Sequence, residues 1–374
     1  MGQPTDMNDV IVIGAGAIGI SIAAALIEAG LRVVVLERGC VGAEGATRYS
    51  GGIVRQMDPD PVRSRLSAAA SPWPQSWVVR DAFNAAIKRT GVIHLGSAAH
   101  CTDLLASASY GITAACDASM AIGPFLSPGV DNNLCALVEY AGGIADVRGY
   151  VAGLADYVRT EGTLHDHLPV VRYGADADGA RIDAGGLQLQ ARIVVDACGA
   201  DAPAGRPAGL VHARTIPFTR FSSAHVPSRP LIAYAVNTYV LPLTSTTMQV
   251  GGQIRSTAAS VSELDTNPYD NEADACKRLS MLGFCASGLT AVATKVAFDA
   301  YTDDGLPVIG FADPLARLYL ATGFCGVGYK MAPTVAELVT ADVLRRLKDC
   351  PLEPAQRDLL RLCAPGRRPL QGGQ

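Results

Sequence analysis

The run from Val10 to Glu37 constrains this chain more than any other stretch. Val10-Ile-Val-Ile13 is a short β-branched run, the pattern of a strand buried on both faces. Gly14-Ala-Gly16-Ala-Ile-Gly19 follows, and Ile20 to Ala29 is a good helix former closed by Gly30. Val33-Val-Val-Leu36 reads as a second buried strand, ending at Glu37, eighteen residues beyond Gly19. The order strand, G-x-G-x-x-G, helix, strand, acid predicts a βαβ unit that binds a dinucleotide. Gly14 permits the tight turn, Gly16 lets a pyrophosphate approach the backbone, and Gly19 lets helix and strand pack closely. The helix N-terminus offers free N–H groups to the phosphates. Glu37 can accept hydrogen bonds from an adenosine ribose and would repel a 2′-phosphate. NAD and FAD share this half of the molecule, so the motif alone leaves both open.

Length and composition narrow the rest. A chain of 374 residues predicts two domains. A formal charge of −4 without a long single-sign run argues against a nucleic-acid partner, which needs a basic patch to displace counterions. None of the ten cysteines stand at C-x-x-C spacing, and the only close histidine pair is His165/His167. Neither a zinc site nor a disulfide scaffold is expected, and a reducing cytoplasm fits. The N-terminus reads as no signal peptide. Val10 to Ile27 is uncharged, but its β-branched start and its glycines divide it into strand and helix, so no membrane span is expected.

Three further motifs carry a resemblance. Gly45-Ala-Thr-Arg-Tyr-Ser-Gly-Gly-Ile-Val-Arg55-Gln lies just downstream of the fingerprint. Tyr301-Thr-Asp-Asp-Gly-Leu-Pro-Val-Ile-Gly310 and Leu318-Tyr-Leu-Ala-Thr-Gly-Phe-Cys-Gly-Val-Gly-Tyr-Lys330-Met-Ala-Pro333 lie near the other end. Together these resemble the D-amino-acid-oxidase superfamily of FAD enzymes, and most nearly its sarcosine-oxidase and glycine-oxidase branches. In physical terms, Leu318 to Ala321 is a short strand, and Gly323, Gly326 and Gly328 form a loop able to pass close to a planar ring. Pro333 suits the first turn of a helix running from Thr334 to Leu347.

The resemblance implies an α/β fold: a discontinuous Rossmann-type FAD-binding domain plus an α+β substrate domain with an antiparallel sheet. Residues 1–75, 145–212 and 300–349 are expected in the first domain, 76–144 and 213–299 in the second, with 365–374 a loose tail. Asp146 is expected to cap a helix from Val147 to Thr160, Leu168–Val171 to be another strand of the cofactor sheet, and Ala233–Leu241 to pair with Thr246–Ile254. Cofactor contacts are implied for Gly14, Gly16, Ile18, Gly19, Glu37, Arg38, Ala46, Thr47, Ser50, Gly51, Gly52, Val170, Val171, Cys198 and Gly199. From the C-terminal loop the same is implied for Gly323, Gly326, Val327, Gly328, Tyr329 and Lys330.

The resemblance also implies a substrate and a chemistry. Arg55 matches the family arginine that binds a substrate carboxylate, and Lys330 a lysine that joins it; a guanidinium fork suits that planar group. The expected reaction is oxidation of a C–N bond in an amino acid or amine, by hydride transfer to flavin N5, giving an imine. Oxygen or another acceptor would reoxidise the flavin. An FAD-dependent 2-hydroxy-acid dehydrogenase or oxidase and a non-catalytic FAD-fold assembly factor are the alternatives.

Some positions depart from the family pattern. Asp299 stands where sarcosine oxidases carry their flavin-linking cysteine, so non-covalent FAD is expected; Asp299 itself reads as part of a surface turn or, alternatively, as facing the substrate amine. Gln249 replaces an oxygen-activating lysine, and Val327 replaces a histidine, which predicts a more apolar pocket. Cys40 and Cys325 read as small buried residues, His165-Asp-His167 as a solvated turn, and His94 and His225 as roof residues without a catalytic role.

Overall fold

The computed structural model describes residues 7–67, 76–107, 113–117, 134–201, 203–284 and 288–367. Cys285 and the part of the expected tail from 368 to 374 lie outside them. Two large sheets and a small three-stranded one organise the described residues.

The eight-stranded sheet grows around strand Asn8–Ile13, whose Val10, Ile11, Val12 and Ile13 are buried. Apolar residues on both pleat faces suit only a strand covered on both sides, which puts it mid-sheet. Its parallel core runs Thr163–His165, Val33–Leu36, Asn8–Ile13, Leu187–Asp196, Leu318–Thr322. Helix Ala17–Glu28 crosses between the first two strands in sequence and packs against helices Val147–Glu161 and Gly328–Lys348. The carboxylate of Asp146 caps helix Val147–Glu161 by accepting the Gly149 N–H at 2.9 Å.

The expected strand Leu168–Val171 is found on this sheet with shifted bounds, as Val170–Ala175. It opens an antiparallel hairpin with Ala180–Ala184 at the sheet's edge. A short parallel strand, Thr163–His165, precedes it, with Leu164 packed against the core directly after the helix ends. Pro169 cannot donate to a ladder, and His167 turns the chain with φ +54°. Helix Gly328–Lys348 also starts before Thr334, so Pro333 lies inside it.

The nine-stranded sheet takes strands from 92–139 and 212–301, with His212–Ser222 and Thr290–Tyr301 paired over most of their length. Thr238–Pro242 pairs with Thr247–Gly251 around the anticipated turn. The stretch Ala233–Leu241 is not one strand. It breaks into a 3-10 turn, Tyr234–Val236, followed by Asn237 at φ +46°. Helix Asn271–Met281 covers one face, burying Ala275 and Leu279 with Phe221, Met248 and Val250. Helix Trp77–Ala86 joins the other core through Val79 and Phe83. Among the described residues, no helix is long and apolar enough to cross a membrane.

Candidate active site

A cavity of about 750 Å³ lies between the two large sheets. One end is built by the glycine turn after Asn8–Ile13. Gly14 has φ +96°, and a Cβ there would stand 2.8 Å from the Ala197 carbonyl oxygen. A Cβ at Gly19 would fall 1.9 Å from the Gly14 carbonyl oxygen, so only glycine lets the helix sit on its strand. Gly16 is the N-cap of helix Ala17–Glu28 and faces the cavity; it has no side-chain cap bond among the described residues. Thr47 Oγ1 takes the Ala17 N–H at 3.0 Å, which fixes the segment Ala46–Tyr49 beside the turn. Glu37 is buried; it accepts the Ala15 N–H at 2.7 Å through one oxygen and the Gly39 N–H at 3.0 Å through the other. Each carboxylate oxygen keeps a further lone pair, and Glu37 lines the cavity.

The other end is built by the C-terminal loop. Strand Leu318–Thr322 delivers it, Cys325 turns at φ +54°, and helix Gly328–Lys348 begins at the cavity wall. The first N–H groups of that helix lack intrahelical partners and point back toward the cavity. Asp299 ties the loop down, accepting the Ala300 N–H at 2.7 Å and the Gly326 N–H at 2.9 Å. It lies in strand Thr290–Tyr301 and lines the cavity, so the expected surface turn is wrong. The turn chemistry of Thr-Asp-Asp-Gly begins only after Tyr301. Burial pushes the Asp299 carboxyl up to about 6.

The cations meet at a buried carboxylate. Asp58 is fully buried, 2.9 Å from Lys330 Nζ and 3.1 Å from Arg55 Nη1, with Arg63 Nε at 2.9 Å. Burial opposes its charge, but Lys330, Arg55 and Arg63 hold the carboxyl well below the usual carboxylate range. Burial and the neighbouring Arg55 push Lys330 down to about 7, against the pull of Asp58. Burial also works against Arg55, which Tyr234, Asp58 and Glu139 nonetheless hold firmly charged. Arg55 Nη1 donates to the Met57 carbonyl as well.

Most of the expected contact residues line this cavity: Arg55, Gly14, Gly16, Ile18, Glu37, Arg38, 46–47, 50–52, Val170, Cys198, Gly199, Gly326 and 327–330. Gly19, Val171 and Gly323 do not. Gly19 packs against the turn, Gly323 packs against Thr302, and Val171 is 59% exposed on the outer hairpin. Gln249 is buried behind Tyr239, donating to its hydroxyl at 2.9 Å and accepting from Arg220 at 3.2 Å. Cys40 is exposed, with Sγ 3.5 Å from His167 Nε2, so its expected burial is wrong. Cys325 is buried as expected. Among the described residues no cluster could hold a metal ion.

Three residues of the site escaped the sequence reading, and a fourth, His94, reads there as a roof residue without a catalytic role. Asp58 lies in an ordinary-looking Met-Asp-Pro-Asp turn, and Tyr234, His94 and Glu139 come from three separate strands or turns. They are brought together only by sheet pairing.

Residues 9–341 match the sequence profile of the family described as DAO, FAD dependent oxidoreductase. The chain belongs to that family. Its FAD-dependent oxidoreductase chemistry settles the choice that the fingerprint left between NAD and FAD. The glycine cradle, the buried Glu37 carboxylate and the second helix N-terminus at the cavity wall fit that cofactor. No curated protein sequence matches. Among solved structures, the chain resembles L-proline dehydrogenase from P. horikoshii with a TM-score of 0.78 at 19% identity, covering 95% of this chain and 98% of that one. Glycine oxidase from Geobacillus kaustophilus gives 0.73 at 20% identity, covering 94% and 98%. NikD, an unusual amino acid oxidase essential for nikkomycin biosynthesis, gives 0.77 at 18% identity, covering 99% and 100%.

Proposed function

We propose that this protein oxidises a C–N bond of an amino acid, with Arg55 and Lys330 holding the substrate carboxylate. The observation that carries the reading is the convergence of these two cations at one end of the cavity, under the loop 326–330. Asp58 and Glu139 face Arg55, Arg63 and Lys330, which leaves an excess of one positive charge among these five. One carboxylate balances it. FAD, when bound, takes up the hydride lost from the substrate carbon beside the nitrogen. The chain's own part is to orient that carbon, exclude water and keep the amine neutral. Relatives described as a proline dehydrogenase, a glycine oxidase and an amino acid oxidase support an amino-acid substrate.

The FAD contacts are assigned in three groups. Gly14, Gly16 and Ile18, with Ala46 and Thr47, would take the diphosphate, and Glu37 with Arg38 the adenosine ribose. Ser50, Gly51, Gly52, Gly326, Val327, Gly328, Tyr329 and Lys330 would surround the flavin, with Val170, Cys198 and Gly199 along the adenosine side. FAD is held non-covalently, because Asp299 occupies the attachment position with both oxygens engaged by backbone N–H groups. The described residues of 1–75, 145–212 and 300–349 are assigned to the cofactor domain and those of 76–144 and 213–299 to the roof, except that helix Trp77–Ala86 packs with the cofactor domain through Val79 and Phe83. The free cysteines among the described residues support a reducing, cytoplasmic setting. Oxygen or another acceptor then reoxidises the flavin.

Acid precipitation followed by anaerobic mixing tests this. The yellow colour should stay in the supernatant, and some amino acid should bleach the native protein. Colour in the pellet would contradict non-covalent binding. Bleaching by 2-hydroxy acids alone would overturn the C–N reading.

A further inference from the structure

His94 is fully buried in strand Val92–Ser97, where an apolar side chain would pack without cost. It is instead threaded between two polar partners. Nε2 lies 3.1 Å from Glu139 Oε2, and Nδ1 lies 3.1 Å from the Tyr234 hydroxyl. Glu139 closes the inner end. It is buried and also accepts the backbone N–H groups of Gln56 at 2.5 Å and Met57 at 3.1 Å. Burial opposes its charge, but the bond from His94 and these two N–H groups keep it ionised. Tyr234 closes the outer end. Its 3-10 turn interrupts the strand and swings the ring onto His94, with planes 10° apart, while the residue lines the cavity.

The chemistry of the three groups fixes the direction of each bond. An ionised carboxylate only accepts, so His94 carries its proton on Nε2. Burial, with Arg55 and Lys330 nearby, holds the imidazole neutral against the pull of Glu139. Nδ1 is then an acceptor, so the Tyr234 hydroxyl donates inward. The phenol oxygen therefore keeps only lone pairs for a further N–H donor, and Tyr234 lines the cavity.

On the functional reading above, we propose that Tyr234, His94 and Glu139 form a relay that deprotonates the substrate ammonium group. Tyr234 is the catalytic residue that touches the substrate nitrogen; His94 and Glu139 are positioning residues that act through it. The substrate N–H proton passes to the Tyr234 oxygen, and the phenol proton passes to His94 Nδ1. A neutral amine, a neutral tyrosine and an imidazolium paired with Glu139 result. Nothing is oxidised or reduced in this step. Of the neighbouring titratable groups, Lys330 donates to Asp58, and each Asp299 oxygen accepts a backbone N–H group. Tyr234 is faced by Arg55, Asp58, Glu139 and Arg63, with the His100 ring 4.3 Å away. The positive charge of Arg55 and Lys330 disfavours an imidazolium until a substrate carboxylate arrives to offset it. Carboxylate binding and proton uptake by His94 are thereby coupled.

The test uses the FAD-loaded protein and an amino acid that bleaches it. In the wild type, the anaerobic bleaching rate should reach a plateau well below the ammonium pKa of the free amino acid. Tyr234→Phe should lower the rate at neutral pH about a hundredfold. Its rate should then climb with pH up to that ammonium value, because only free amine reacts. Histidine-labelled protein gives a readout that needs no turnover. By 15N NMR, His94 should be the neutral Nε2–H tautomer, and Tyr234→Phe should move its Nδ1 resonance. An unchanged pH profile in Tyr234→Phe, or an Nδ1–H tautomer, would overturn the relay while leaving the functional reading intact. If no amine or amino acid bleaches the wild type, the functional reading fails and the relay loses its substrate.

Discussion

Asp58 is the residue on which the cation cluster turns. It compensates Lys330, Arg55 and Arg63 in a buried setting, where unpaired charge is costly. Asp58→Asn should lower stability by about 3 kcal/mol, read as a lower urea midpoint of the FAD-loaded protein. An unchanged midpoint would show that the three cations find compensation elsewhere. Lys330 gives a pH prediction whose sign follows from its downward shift to about 7. The ammonium is present below that pH and lost above it, and a carboxylate ligand favours the charged form. Affinity for a carboxylate inhibitor should therefore be highest below pH 7 and fall by up to about tenfold per pH unit above it. Lys330→Met should flatten the dependence. Asp299 titrates nearby, at about 6, and also lines the cavity, so the variant is the necessary control. Constant wild-type affinity between pH 6 and 9 would contradict the placement of Lys330 at the carboxylate.

At the scale of elements, local chemistry was the part most legible in the sequence. The strand, turn, helix, strand and acid of 10–37 form from contacts within thirty residues, so their pattern survives as a readable string. Gly19→Ala tests that unit, since its methyl would collide with the Gly14 carbonyl. The variant should purify without FAD and melt at a lower temperature; a fully loaded variant would mean that the turn is not the diphosphate cradle. Elements whose placement depends on distant partners were read less well. Thr163–His165 was missed because three residues carry no period, and the strand expected at Leu168–Val171 begins after Pro169, at Val170, and runs on to Ala175. Pro333 suggested a helix start, yet the packing of Tyr329 and Met331 into the core carries the helix back to Gly328. The break at Tyr234–Val236 has no signal beyond Asn237, which tolerates the left-handed turn that follows.

Over the whole molecule, the cavity is a product of both sheets, and this is where the sequence fell silent. Arg55 and Lys330 could be matched by motif, but the carboxylate between them could not. His94 reaches Tyr234 across a separation of 140 residues, and Glu139 across 45. Such pairs leave no local spacing. The architecture divides the lining: the first sheet supplies two helix N-termini and the buried carboxylate of Glu37, and the second supplies the polar group of Tyr234, His94 and Glu139.

The most direct measurement is anaerobic bleaching of the FAD-loaded protein by a matched trio sharing one carbon skeleton. The trio comprises an amino acid, the amine that lacks its carboxylate, and the corresponding 2-hydroxy acid. The expected result is bleaching by the amino acid at low concentration, weak bleaching by the amine, and none by the hydroxy acid. Arg55→Met should raise the concentration of amino acid required by about a hundredfold while leaving the amine unaffected. Equal bleaching by amino acid and amine in the wild type, or bleaching by the hydroxy acid alone, would contradict an amino-acid oxidoreductase with its carboxylate held by Arg55 and Lys330.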